Sequence, residues 1–112
     1  MSVSFEGVGQ VCATFLGGGL TEGHVVKMTG SGAVGACDAD DGFCGAAICC
    51  KDDACTVQVG GFVSVGYSGT APAAGWQALA ADGKGGVKTA ASGREYLVAD
   101  VDATAKIVTI ML

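Results

Sequence analysis

Six cysteines, one histidine and a run of aspartates are the residues of this 112-residue chain that could do chemistry. The cysteines are Cys12, Cys37, Cys44, Cys49, Cys50 and Cys55, five of them inside the acidic segment 37–55. Tetrahedral zinc asks for close ligand pairs of the C-x₂-C kind on tight turns, and no such pair occurs. His24, the sole histidine, lies far from the cysteine segment in sequence. Asp38, Asp40, Asp41 and Gly42 resemble the start of a calcium loop. Phe43, Cys44 and Gly45 follow where further oxygen ligands would be needed. The segment therefore reads as a solvated acidic turn, and Asp52-Asp53 reads the same way. A metal- or thiol-dependent binding module using residues 37–55 stands as the alternative reading of function.

Disulfide chemistry depends on how the chain turns. A two-residue hairpin centred on Asp52-Asp53 sets Lys51 opposite Ala54, and Cys50 opposite Cys55 in a non-hydrogen-bonded pair. In such pairs the Cα atoms lie about 4.5 Å apart, within reach of a bridge. Cys37 and Cys44 flank the turn upstream and form a second candidate pair. A reducing cytoplasm favours buried thiols, with bridges forming after assembly or release. Both states stay open. No helix N-terminus is evident beside a cysteine, and none of the six is read as a nucleophile. His24 has no serine or cysteine partner at a recognisable spacing. Gly17-Gly18-Gly19 lacks the Lys-Ser/Thr of a phosphate loop. No catalytic residue, cofactor site or metal site is assigned, and the chain is not read as an enzyme.

The elements that position these residues are strands. Val57, Val59, Gly61, Val63, Val65 and Tyr67 alternate with Gln58, Gly60, Phe62, Ser64 and Gly66, the period of a strand with one face on a core. The spacing predicts one strand over 55–67, with Gly60-Gly61 as a bulge. Further strands are predicted over 3–16, 25–29, 33–37, 45–50, 76–81, 87–90, 94–101 and 106–112. Residues 1–20 are an extended arm or an edge strand. The alanine-rich stretch 71–81 is the one place where a helix competes; Pro72 and the nearby glycines count against it. Turn signals between short strands predict an all-β domain, a sandwich or small barrel. Trp76, Tyr67 and Phe62 supply core bulk or interface anchors, or together a stacking platform.

Composition narrows the class. Half the residues are apolar and 15% charged, so the chain folds as a single domain over residues 1–112. Twenty glycines against one proline sit between apolar runs and mark turns and bulges. The net charge is −5, and the six lysines and arginines are dispersed, so no basic track exists for nucleic acid. No apolar run is long enough to span a bilayer as a helix, and no secretory signal is evident. A soluble protein made in the cytoplasm is expected.

Several segments in order resemble a known family. They are Glu22-Gly23-His24-Val25-Val26-Lys27, Asp41-Gly42-Phe43-Cys44-Gly45-Ala46-Ala47-Ile48, Val57-Gln58-Val59-Gly60-Gly61-Phe62-Val63, Ala81-Asp82-Gly83-Lys84-Gly85-Gly86-Val87 and Tyr96-Leu97-Val98-Ala99-Asp100-Val101-Asp102. Together they make the chain, from about residue 20 onward, similar to the small glycine-rich capsid decoration (cement) proteins of tailed phages and prophages. The resemblance implies a small β-barrel or β-clip-like domain on the outside of an icosahedral head. It implies a homotrimer bound to the major capsid protein, reinforcing the virion without catalysis or a cofactor. Neither nucleic acid nor a membrane is an implied partner.

Overall fold

The computed structural model describes residues 10–112, which form ten strands and no helix. The part of the predicted arm over residues 1–9 lies outside the described residues. The fold is all-β and consists of two five-stranded units in tandem. The first contains β1 (Val11–Leu16), β2 (Val25–Gly30), β3 (Ala33–Ala36), β4 (Gly45–Lys51) and β5 (Ala54–Gly60). Their order is β1-β3-β2-β4-β5, closed into a barrel. β5 pairs antiparallel along the whole of β1, whereas β3 meets β1 only at Leu16↔Ala33.

The second unit contains β6 (Phe62–Gly66), β7 (Gly75–Ala81), β8 (Val87–Thr89), β9 (Glu95–Asp102) and β10 (Ile107–Met111). It is an open antiparallel sheet in the order β6-β10-β9-β7-β8. A single parallel bridge, Tyr67↔Val87, draws its two edges together.

One predicted strand divides. The run 55–67 breaks at Gly61, whose φ of 83° is open to glycine and strained for other residues. β5 belongs to the barrel and β6 to the second sheet, so Gly60-Gly61 is the crossing between units and not a bulge within one strand. The period of two survives across the break, but its apolar face serves two cores. Val57 packs with Val26, Val34, Ala47 and Cys55 inside the barrel. Val65 and Tyr67 pack with Leu79, Ala81, Val87, Tyr96, Val98, Val108 and Ile110 under the second sheet.

Gln58 sits at this crossing and is only 2% exposed, although alternation assigns it to the face away from the core. Its Nε2 donates to the carbonyls of Gly60 (3.1 Å) and Phe62 (2.7 Å), and its Oε1 accepts from Gln10 Nε2 (3.1 Å). A buried amide must be paired, and these bonds pair it while fixing the crossing.

The two units are joined through neighbouring residues that face opposite ways. Val25 and Ala46 enter the core under the second sheet, while Val26 and Ala47 enter the barrel core. Adjacent side chains on a strand point to opposite faces, so the pair Val25↔Ala46 at the start of β2 forms a wall shared by both cores. Gly45 completes this wall: a Cβ there would overlap the Gln58 carbonyl oxygen and the Val57 side chain.

The alanine-rich stretch is strand from Gly75 onward. Ala78, Leu79, Ala80 and Ala81 are all buried. With both faces covered over residues 78–81, that part of the strand shows no alternation, which is why its sequence is also compatible with a helix.

Candidate functional site

The cysteine-rich segment does not come together as one centre. Cys50 and Cys55 face each other across the hairpin, in the register Cys50↔Cys55 and Lys51↔Ala54, and are joined as a disulfide with Cα atoms 4.0 Å apart. Cys37 and Cys44, the second candidate pair, are free thiols, as are Cys12 and Cys49. Cys37 packs against the core of the second sheet and Cys44 against the barrel core. Burial, with the Asp41 charge adding to it, pushes the Cys37 thiol up to about 11; burial also raises Cys44. Both are protonated near neutral pH, the wrong state for attack or metal ligation. Among the described residues, no three His, Cys, Asp or Glu side chains gather in a group that could hold a metal ion.

The acidic turn at 38–41 is paired, not merely solvated. Lys27 Nζ lies 2.6 Å from Asp41 Oδ2 and 3.9 Å from Asp38, and Lys88 forms an ion pair with Asp40. Asp41 Oδ2 also accepts from the Asp38 amide (2.9 Å). The Lys27 hydrogen bond holds the Asp41 carboxyl below its ordinary value and raises Lys27 in return.

Backbone bonds carry the turn onto the second sheet. Asp40 N donates to Ala81 O (2.9 Å) and Ala81 N to Asp41 O (2.8 Å). Next to it, Phe43 stacks on Tyr96 with ring centroids 4.8 Å apart and an interplanar angle of 11°. The Tyr96 hydroxyl donates to Phe43 O. Residues 37–44 therefore clamp the barrel to the second sheet.

His24 lies exposed on the approach to β2, its ring against Gly85, where a Cβ would overlap the imidazole. The Val25 amide donates to Gly85 O beside it (2.9 Å). The contact ties the 82–86 turn of the second unit to the barrel. Within that turn Asp82 Oδ1 accepts from the amides of Lys84 and Gly86, and Oδ2 from the Ser68 hydroxyl. Burial pushes Asp82 up, but the Ser68 hydroxyl and these two amides outweigh it and hold the carboxyl below its usual range.

The predicted aromatic trio is not a platform. Tyr67 is buried in the core, Phe62 is half-buried, and Trp76 is 65% exposed. Registers nevertheless place Phe62 and Trp76 at opposite ends of one row. Phe62↔Met111, Met111↔Leu97 and Leu97↔Trp76 are successive cross-strand pairs through β6, β10, β9 and β7. The neighbouring row, Val63↔Ile110↔Val98, faces the core, so the row Phe62–Met111–Leu97–Trp76 faces outward. Met111 is 37% exposed, and Ile107, outward on the same strand, 42%.

Sequence reading missed this row because Met111 and Leu97 each look like one more apolar residue of a strand. Only the register aligns them. The same face carries Glu95, Asp100 and Asp102 on β9, all exposed. Asp102 caps the following turn through the amides of Thr104 and Ala105. Glu95 and Asp100 take part in no ion pair among the described residues, and β6, β7, β9 and β10 contain no lysine or arginine.

Such a surface is suited to contact. Cross-strand apolar neighbours on a solvent-facing sheet lose water only when another surface covers them, and an exposed tryptophan is a frequent anchor in that role. No helix among the described residues is long and apolar enough to cross a membrane. No protein-family model matches the chain, and no curated protein matches it either.

Proposed function

We propose that this chain is a structural virion protein: a capsid decoration, or cement, protein of a tailed phage or prophage. It is made in the bacterial host's cytoplasm, assembles as a homotrimer, binds the major capsid protein on the capsid exterior and stabilises the icosahedral head. It performs no catalysis, and its partners are protein, with no nucleic acid or membrane involved.

The observation that carries this reading is the outward apolar row ending in Trp76. It lies on a sheet whose other face is already filled by the core. The ordered segments from Glu22 to Asp102, which resemble the small glycine-rich cement proteins, supply the identity of the partner. Adhesion to a repeating shell also suits a domain of this size. Many weak contacts to a preformed lattice add up, so each needs only a modest surface.

The test uses heads of the phage or prophage that encodes the chain, prepared without it. The protein is expected to sediment with the heads at a saturating stoichiometry and to raise the temperature at which they release DNA. Heads that neither bind the protein nor gain resistance would contradict the proposal.

A further inference from the structure

Charge and register on the second sheet define the surface that this face accepts. We infer that the outer face of β6, β10, β9 and β7 docks onto a protein surface presenting apolar side chains bordered by lysine or arginine. The inference rests on the capsid reading, and it assigns the contact to one face and its partner to one chemistry.

The apolar half of the argument is Met111, Leu97 and Trp76 of the outward row, continued by Ile107. The polar half is β9. Glu95 and Asp100 flank Leu97 on the same face, both exposed and neither in an ion pair among the described residues. The nearest cation in sequence, Arg94, is turned onto the Tyr96 ring, 4.8 Å from its centroid. Lys88, on the neighbouring β8, is held by Asp40. Lys106, in the turn before Ile107, lies over the Tyr67 ring, 6.0 Å from its centroid. Among the described residues the face is thus apolar and negative, with no lysine or arginine on its four strands to answer the carboxylates. Cationic side chains at the edge of a partner surface would do so and would speed encounter.

The same charges argue against a second copy as the occupant. Two such faces set against each other would bring Glu95 and Asp100 towards like carboxylates, which is unfavourable.

Size decides the rest. Four strands about 4.8 Å apart, with five residues of about 3.3 Å each, present roughly 300 Å². A stable one-to-one complex covers about 800 Å² on each partner. The face alone therefore binds weakly, and retention on the partner depends on several copies acting together.

The test measures binding to the same purified heads by sedimentation. It compares the wild type with Trp76→Ala, Met111→Ser and the double variant Glu95→Lys/Asp100→Lys. Met28→Ser, at an exposed position on β2 of the barrel, is the control. Thermal melts establish that each variant folds. Trp76→Ala and the charge-reversal variant are expected to weaken binding about tenfold or more, and Met111→Ser several-fold. Met28→Ser is expected to bind as the wild type does. Raising salt from about 50 to about 300 mM should weaken wild-type binding several-fold.

If the wild type binds and the folded variants bind equally well, the face is wrong while the decoration reading stands. If the wild type does not bind heads at all, both fall. Self-association abolished by Trp76→Ala would give the face to a second copy and overturn the inference.

Discussion

Cys50 and Cys55 show how far single residues can be read. Their opposition follows from a two-residue hairpin, because the turn fixes the register and the register fixes the pair. The oxidation state does not follow, since it depends on the surroundings as well as the geometry. Alkylation of the unreduced, denatured protein is expected to modify four thiols, and six after reduction, as read by intact mass. In the folded protein Cys12 and Cys49 should react first, because Cys37 and Cys44 are shielded and their thiols raised.

Gln58 is the opposite case. Nothing in an alternating strand marks an outward glutamine as buried; the crossing at Gly61 makes it so. Gln58→Ala would leave the Gly60 and Phe62 carbonyls short of a donor, at a cost of about 1–3 kcal/mol in urea unfolding. Asp82 sets a pH dependence. Its folded carboxyl lies below the unfolded value of about 3.9, so its contribution is complete above that value and is lost as pH falls through the folded one. Asp41 acts in the same direction. Stability should therefore drop from about pH 5 towards pH 2. Asp82→Asn should be less stable than the wild type at pH 7, with the gap closing at the acid end.

At the scale of elements, short apolar runs between glycine turns were legible as strands because both the period and the turn residues pointed the same way. β9 alternates as expected, apart from one bulge opposite Thr109/Ile110 that leaves Ala99 unpaired in the register. β10 departs from alternation at Thr109, which is buried between Val108 and Ile110 and shares a hydrogen bond with the Ser64 hydroxyl. What remained hidden was which strands share a sheet. The run 55–67 keeps one phase through Gly61, and a continuous phase carries no sign that the chain has left one core for another. β7 hid its type for the converse reason: four successive buried residues have no phase at all.

The acidic turn at 38–41 looked solvated because its partners, Lys27 and Lys88, lie on other strands. The core of the second sheet is where element packing is most testable. Ile110 is fully buried in the middle of β10, and Ile110→Ala is expected to destabilise by about 2–5 kcal/mol. The measurement is equilibrium denaturation, and a change below about 1 kcal/mol would mean that this core is loosely packed.

At the scale of the molecule, residues 10–112 form two five-stranded units sharing a wall at Val25 and Ala46, clamped by the 37–44 turn. This leaves one sheet with a filled inner face and an apolar, negatively charged outer one. Strand periodicity and turn residues pointed to the all-β class, and composition to the acidic balance. Neither pointed to the outward row. That row exists only once four strands are in register. The central claim is that this surface fastens the protein to the outside of a capsid. Cryo-electron reconstruction of encoding-phage heads incubated with the protein tests it most directly. The account predicts added density on the shell exterior, with the face bearing Trp76, Leu97 and Met111 against the major capsid protein. Shells without added density, or with that face turned to solvent, would contradict it.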